Sequence, residues 1–151
     1  MKIFDNQLDI RVVPYGGAEY QEMLQFRNEL MRIPIGHNLF DEDLAREVED
    51  HHIGVYRDSR LIGVCIITPL NRDTARMRQV VIAPDCRKMG IGRSMMLFAE
   101  LCALELGFSR LILDSRITAM AFYKKLGYRK IGRRFMELGL PHYLMEKPLK
   151  P

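Results

Sequence analysis

Arg87-Lys88-Met89-Gly90-Ile91-Gly92 lies between an apolar run, Ala75 to Ile82, and a helix-patterned segment that reaches Leu106. The first run reads as a strand that ends before Pro84. The second opens at Gly90-Ile91-Gly92 and meets its stop at Gly107. A strand-to-helix junction presents unpaired backbone N–H groups and the positive end of the helix dipole. Glycines let that backbone approach a ligand closely, and anions bind there readily. Arg87, Lys88 and Arg93 add full positive charges, so the stretch reads as a phosphate cradle. Arg110 to Asp114 follows as a short apolar strand, which makes this region a single βαβ unit.

Outward from this unit, the upstream half begins with Leu8 to Val13, which alternates as a strand does, and Gly16-Gly17 breaks it. Ala18 to Met31 reads as a helix, with Tyr20, Met23, Leu24, Phe26, Leu30 and Met31 near helical spacing. Arg32 to Phe40 is a loop, and Asp41 to Val48 a short acidic helix capped by Asp41. His52 to Tyr56 and Leu61 to Thr68 flank Asp58-Ser59-Arg60 as a hairpin. Downstream, Thr118 caps a helix whose Ala119, Phe122, Tyr123 and Leu126 share one face and which Gly127 stops. Arg129 to Leu138 and His142 to Lys147 are strands joined by Gly139-Leu140-Pro141. The order predicts an α/β fold with a mixed, mainly antiparallel central sheet, one βαβ crossover and flanking helices.

The chain's 151 residues suit one domain, residues 1–151, with a core that needs no disulfide or metal. With 48% hydrophobic and 28% charged residues it is neither disordered nor fibrous. The net charge of +4 suits an anionic small ligand as well as nucleic acid. Cys65, Cys86 and Cys102 are odd in number and far apart, which argues against a disulfide framework or a cysteine-rich zinc site. No metal site is expected, since the adjacent His51 and His52 point to opposite faces of a strand. The ten methionines read as adaptable core filling. Met1 to Asp9 lacks the apolar stretch of a signal peptide, and no run approaches the roughly 20 apolar residues of a membrane span. The expected location is the cytoplasm.

The loop admits three chemical readings. A P-loop fails, because Arg93 stands where the motif needs Lys and Arg87 where it needs its first Gly. A dinucleotide fingerprint would use Gly90 and Gly92 with Asp114 on a ribose, but Met95 replaces the third Gly and Pro84 lengthens the turn. A helix start with no ligand is the third. Arg87-x-x-Gly90-x-Gly92 resembles the Arg/Gln-x-x-Gly-x-Gly/Ala signature of the GNAT superfamily of acetyl-CoA-dependent N-acetyltransferases. Gln79 to Asp85 resembles that family's strand before the loop, and Ala119 to Tyr128 is similar to its late helix. Phe135-x-Glu137-x-Gly139-x-Pro141-His142-x-x-Met145 looks like the tail of a bacterial subgroup of small members.

The resemblance implies transfer of acetyl from acetyl-CoA to an amine on a small molecule or a protein. It implies that the strand before the loop splays from its neighbour and that the backbone of Val80, Val81 and Ile82 bonds the pantetheine and the thioester carbonyl. The loop Arg87, Lys88, Met89, Gly90, Ile91, Gly92 and Arg93 would hold the phosphates. Tyr123 matches the family tyrosine that protonates the leaving sulfur; a phenol keeps its proton at neutral pH and donates it. Where many members have Asn, this chain has Arg116, a long cation with two readings open, contact with a phosphate or a solvated side chain. No general base is legible; Glu49, His51, His52, Glu137 and His142 are the candidates. Acceptor choice is expected to depend on Arg32 to Phe40, Asp41 to Val48 and Leu138 to His142. A homodimer is compatible with this reading. A non-catalytic acyl-CoA-binding module and a tRNA-directed acetyltransferase are the rival readings.

Overall fold

Eight strands form one sheet in the computed structural model, which describes residues 2–5 and 8–150. The strands are β1 (Lys2–Asp5), β2 (Leu8–Val13), β3 (His51–Arg57), β4 (Arg60–Pro69), β5 (Thr74–Ile82), β6 (Arg110–Arg116), β7 (Arg129–Glu137) and β8 (Leu140–Pro148). The helices are α1 (Ala18–Arg27), α2 (Ile91–Glu105) and α3 (Met120–Lys125). Strand order is β1-β2-β3-β4-β5-β6-β8-β7. Only β5 and β6 run parallel among the described strands, and α2 makes the crossover between them. The fold is the mixed, mainly antiparallel α/β architecture that the pattern implied.

Alternation along the strands separates two apolar layers. Ile53, Val55, Cys65, Ala75, Met77, Leu111 and Leu113 face α2, whose Ile91, Met95, Met96, Phe98, Ala99 and Cys102 complete the larger core. Val13, Tyr56, Val64 and Val81 face α1 through Tyr20, Met23 and Leu24. All three cysteines are free and buried. No helix among the described residues is long and apolar enough to cross a membrane.

Several local expectations change. The strand Lys2–Asp5, which the pattern did not reveal, pairs antiparallel with β2. The helix expected to reach Met31 keeps α-geometry only to Arg27 and winds on as a π-turn, Asn28–Arg32. The acidic helix expected over Asp41 to Val48 is instead two 3₁₀ turns, Leu39–Asp41 and Ala45–Glu49. Asp41 caps neither. Asn38 Oδ1 accepts from Phe40 N at 2.9 Å, and Asp43 Oδ1 accepts from Ala45 N at 3.0 Å. These short polar side chains favour local turns over a continuous helix. Thr118 does not cap α3; it lies inside a 3₁₀ turn, Ile117–Ala119, and Ala119 takes the cap position without a side-chain bond. The β7–β8 turn is Leu138-Gly139, both at positive φ, so Leu140 and Pro141 belong to β8. Proline is tolerated there because the ladder with β6 begins one residue later, at Arg116 opposite His142.

Candidate active site

Two strands part company in the middle of the sheet. Pairing between β5 and β6 covers Thr74 to Met77 against Arg110 to Leu113 and then stops. Beyond it, β5 stays on β4 as far as Ile82, and β6 stays on β8 as far as Arg116. The backbone of Val80, Val81 and Ile82 therefore has a free edge on the side of the gap. Arg76 Nη1 and Asp114 Oδ2, 2.7 Å apart, bridge the two strands near the point of divergence. On the other side of β5, Cys65 faces both Gln79 and Val80, a β-bulge in which Gln79 sits at φ +54°. A non-glycine residue at positive φ inside a strand stores strain of order 1–3 kcal/mol, a feature that concentrates at functional sites.

The loop after β5 ends at Gly90, whose φ of +78° turns the chain into α2. No side chain caps this helix, and its first internal bond runs from Ser94 N to Gly90 O at 3.1 Å. The N–H groups of Ile91, Gly92 and Arg93 are thus left without helical acceptors, at the positive end of a 15-residue helix. Arg60 holds the loop by a fork onto Asp85 at 2.8 and 2.9 Å. Gly92 allows Phe122 to close in, since a Cβ there would stand 3.3 Å from Phe122 Cζ.

Loop, helix start, strand edge and α3 enclose one cleft of about 600 Å³. Its walls include Val80, Val81, Ile82, Arg87, Lys88, Gly90, Ile91, Gly92, Arg93 and Tyr123, all expected site residues. Met89 points outward at 57% exposure, and Arg116 is exposed at the end of β6; neither lines the cleft. Cys86, Ala119 and Phe122 also line it. The loop signature gave no hint of Cys86, whereas Ala119 and Phe122 share with Tyr123 the helix face that the spacing assigned, and that face forms part of the wall, with Phe122 37% exposed.

Tyr123 is buried, with Phe122 edge-on at 5.1 Å and Tyr128 at 5.8 Å. Burial, with a smaller effect from the Cys65 thiol, pushes its phenol well above the ordinary tyrosine value. The hydroxyl is therefore protonated throughout the neutral range.

A second polar cluster lies on the α1 face of the sheet. Arg27, 2% exposed, forks onto Glu47 with both contacts at 2.8 Å. Tyr20 donates its hydroxyl to the same carboxylate at 2.7 Å. Arg27 Nε donates to Gln79 Oε1 at 3.3 Å. Arg78 approaches Asp50 at 3.4 Å and Glu47 at 3.7 Å, and its Nε donates to Thr68 at 3.0 Å. Burial alone would raise the Glu47 carboxyl, but the hydrogen bonds and charge of Arg27, with Tyr20, outweigh it and hold the carboxyl below its usual range. His52 stacks edge-on to Tyr20 at 4.9 Å, and its Nε2 meets Glu47 O at 2.8 Å. Sequence reading missed Arg27 and Glu47. The i, i+3, i+4, i+7 stripe Tyr20, Met23, Leu24, Arg27 was the available signal, a cation on a buried helix face.

Of the candidate bases, His142 and Glu137 stand together at the β7–β8 turn, with Nε2 3.7 Å from Oε2. His142 Nδ1 is 2.8 Å from Leu140 O, and Phe135 stacks on the ring at 5.7 Å. Glu49, His51, His52, Glu137 and His142 are all absent from the cleft wall.

Comparison with known proteins gives a consistent result. The profile of the acetyltransferase (GNAT) family matches residues 19–128. The uncharacterized protein YyaT of Bacillus subtilis is 32% identical over 110 residues, which span 73% of this chain and 74% of that protein. The crystal structure of a candidate N-acetyltransferase from Lactobacillus plantarum superposes with a TM-score of 0.85 at 22% identity, covering 96% of this chain and all of the other. A GNAT family acetyltransferase from Elizabethkingia anophelis, solved with acetyl-CoA bound, gives 0.72 at 15% identity, with 96% of this chain and 100% of that one covered. The last two likenesses concern the fold.

Proposed function

This chain belongs to the acetyltransferase (GNAT) family, and from that premise we propose that it moves an acetyl group from acetyl-CoA to a primary amine by direct attack on the thioester. It is an N-acetyltransferase, and the family's chemistry is acyl transfer from acetyl-CoA. The observation behind the finer reading is the composition of the cleft. At one end are three unpaired N–H groups and the cations Arg87, Lys88 and Arg93, chemistry suited to a pyrophosphate. Along its length runs the free edge of Val80, Val81 and Ile82, suited to the amides of a pantetheine arm. Tyr123 stands on the wall as a hydroxyl donor.

These residues divide the work. The loop and the start of α2 bind the phosphates and thereby orient the thioester toward the gap between β5 and β6. The backbone of the strand edge offers hydrogen bonds to the carbonyl oxygen as it gains charge. Tyr123 gives its proton to the departing sulfur, and the proton that the attacking nitrogen sheds as the amide forms returns through water to the phenolate. Its raised phenol pKa is no obstacle, because the same apolar surroundings destabilise the thiolate it protonates. The amine enters from the gap as its neutral form. Arg116, exposed at the end of β6, is the remaining candidate for a phosphate contact.

Thermal unfolding with added ligand tests this reading. Acetyl-CoA at 100 times its Kd is expected to stabilise the protein by about 2.7 kcal/mol, a rise of roughly 5–10 °C for a domain of this size. NAD and ATP are expected to do much less, and Gly90→Glu to abolish the acetyl-CoA shift by placing a strained residue and a negative charge in the cradle. A larger shift with NAD would overturn the assignment in favour of a dinucleotide site.

A further inference from the structure

The cleft has a direction. Its cations and unpaired N–H groups lie at the loop, so a ligand with phosphates at one end and a thioester at the other places the thioester farthest along β5. Val80 is the last β5 residue on the cleft wall in that direction, and the bulge residue Gln79 is next. The bulge sets which backbone groups of β5 turn toward the gap, because the extra residue shifts the alternation of the strand by one. Whatever holds Gln79 therefore controls the backbone at the acetyl end.

What holds it is Arg27. The Arg27 Nε–H reaches Gln79 Oε1 at 3.3 Å, while its two terminal nitrogens fork onto Glu47 at 2.8 Å each. Three donors of one planar guanidinium are thereby assigned, which a lysine ammonium cannot reproduce in that geometry. The carboxylate that the guanidinium grips is itself anchored, since Tyr20 donates to Glu47 at 2.7 Å. Glu47 belongs to the turn Ala45–Glu49, and its backbone oxygen meets His52 at the start of β3. A chain of hydrogen bonds thus runs from the segment 45–49 through Arg27 to the strained bulge. The geometry points to Arg27 as a positioning residue for acyl transfer: its buried pair with Glu47 fixes the guanidinium, and the guanidinium fixes the Gln79 bulge that presents the β5 backbone to the acetyl group. This inference rests on the acetyl-CoA reading above.

The test compares acetyl-CoA with free CoA, which lacks only the acetyl group, by calorimetric titration. Arg27→Lys breaks the link but also disturbs the buried pair. Gln79→Ala is the cleaner change, because alanine carries the same Cβ at φ +54° and leaves Arg27 and Glu47 in place. The expected result for Gln79→Ala is a loss of at least fivefold in acetyl-CoA affinity, with CoA affinity within twofold of the parent. Gln79→Glu, which keeps an oxygen that accepts from Arg27, is expected to restore acetyl-CoA binding. Equal loss of both ligands in Gln79→Ala, no loss of either, failure of Gln79→Glu to restore binding, or a parent that does not distinguish acetyl-CoA from CoA would each overturn the positioning role. A parent that binds neither ligand is a different result, and it removes the acetyl-CoA reading itself.

Discussion

Arg27→Met asks what the buried ion pair is worth. In the parent, the Arg27 and Glu47 side chains are 2% and 7% exposed, so both charges have left bulk water. Removing the cation leaves Glu47 with the Tyr20 hydroxyl at 2.7 Å and Arg78 at 3.7 Å. Breaking a buried pair from one side costs about 3–5 kcal/mol, and the partial substitute in Arg78 places this case near the lower end. At roughly 2–4 °C per kcal/mol for a chain of this size, the melting temperature is expected to fall by about 6–12 °C. The loss belongs to the stranded carboxylate rather than to the missing attraction, so the combined variant Arg27→Met, Glu47→Leu, Tyr20→Phe is expected to recover most of it. The pH dependence gives a second check. The parent Glu47 carboxyl is held below its usual range, so its contribution is complete above the unfolded value of about 4.3 and is constant between pH 5 and 7. Without Arg27, burial pushes that carboxyl up, and the variant takes up a proton as the pH falls. The difference in stability between parent and variant should therefore shrink from pH 7 to pH 5, measured by urea unfolding at each pH. A penalty below about 1 kcal/mol, or one that stays unchanged over that range, would refute the claim that Glu47 is an uncompensated buried charge once Arg27 is gone.

Three further expectations concern single residues. Tyr123→Phe is expected to keep acetyl-CoA affinity while turnover falls by roughly 10²-fold or more; because the parent phenol is raised by burial, no decline in turnover from its ionisation should appear on the alkaline side up to pH 10. Parental turnover in this variant would make Tyr123 a packing residue. For Arg116, a phosphate contact predicts that Arg116→Ala weakens acetyl-CoA binding by about 10- to 150-fold, the equivalent of a charged hydrogen bond of about 1.5–3 kcal/mol, while Arg116→Asn binds as the parent does; equal binding by all three proteins removes the position from the site. His52 is depressed by burial, so the stability it provides is complete above its unfolded value of about 6.5 and is lost as the pH falls through the folded value. Melting temperatures between pH 7 and 5 should slope downward in the parent and less so in His52→Phe, and matching slopes would count against the buried neutral imidazole.

Local chemistry made much of the segment from β5 to α3 legible. The strand, the loop and the start of α2 at Gly90 could be read because a glycine at a helix start acts through the backbone, and backbone effects depend on neighbours in sequence. The same holds for Gly107 and Gly127, which stop α2 and α3 at φ +97° each. The βαβ crossover followed from two strand patterns around one helical pattern, with the handedness and packing of such units leaving few alternatives. The two 3₁₀ turns that replace the helix expected over 41–48 escaped notice, because Asn38 and Asp43 compete for backbone N–H groups in a way that hydrophobic spacing does not register.

The tertiary structure alone decided the rest. Divergence of β5 from β6 after Met77 and Leu113 is a relation between strands that lie far apart in the chain; only the family resemblance implied it, and nothing local in either strand announces it. The bulge at Gln79 is equally hidden, since it counts residues of β5 against residues of β4. Arg27, Glu47 and Gln79 are separated by 20 and 32 positions in sequence; the apolar stripe of α1 marks only the first, and the other two read as ordinary polar residues. Their meaning comes from being buried together. Burial turns a charge into a constraint, and burial is a property of the folded chain, whereas helix starts, stops and strand periods belong to the sequence itself.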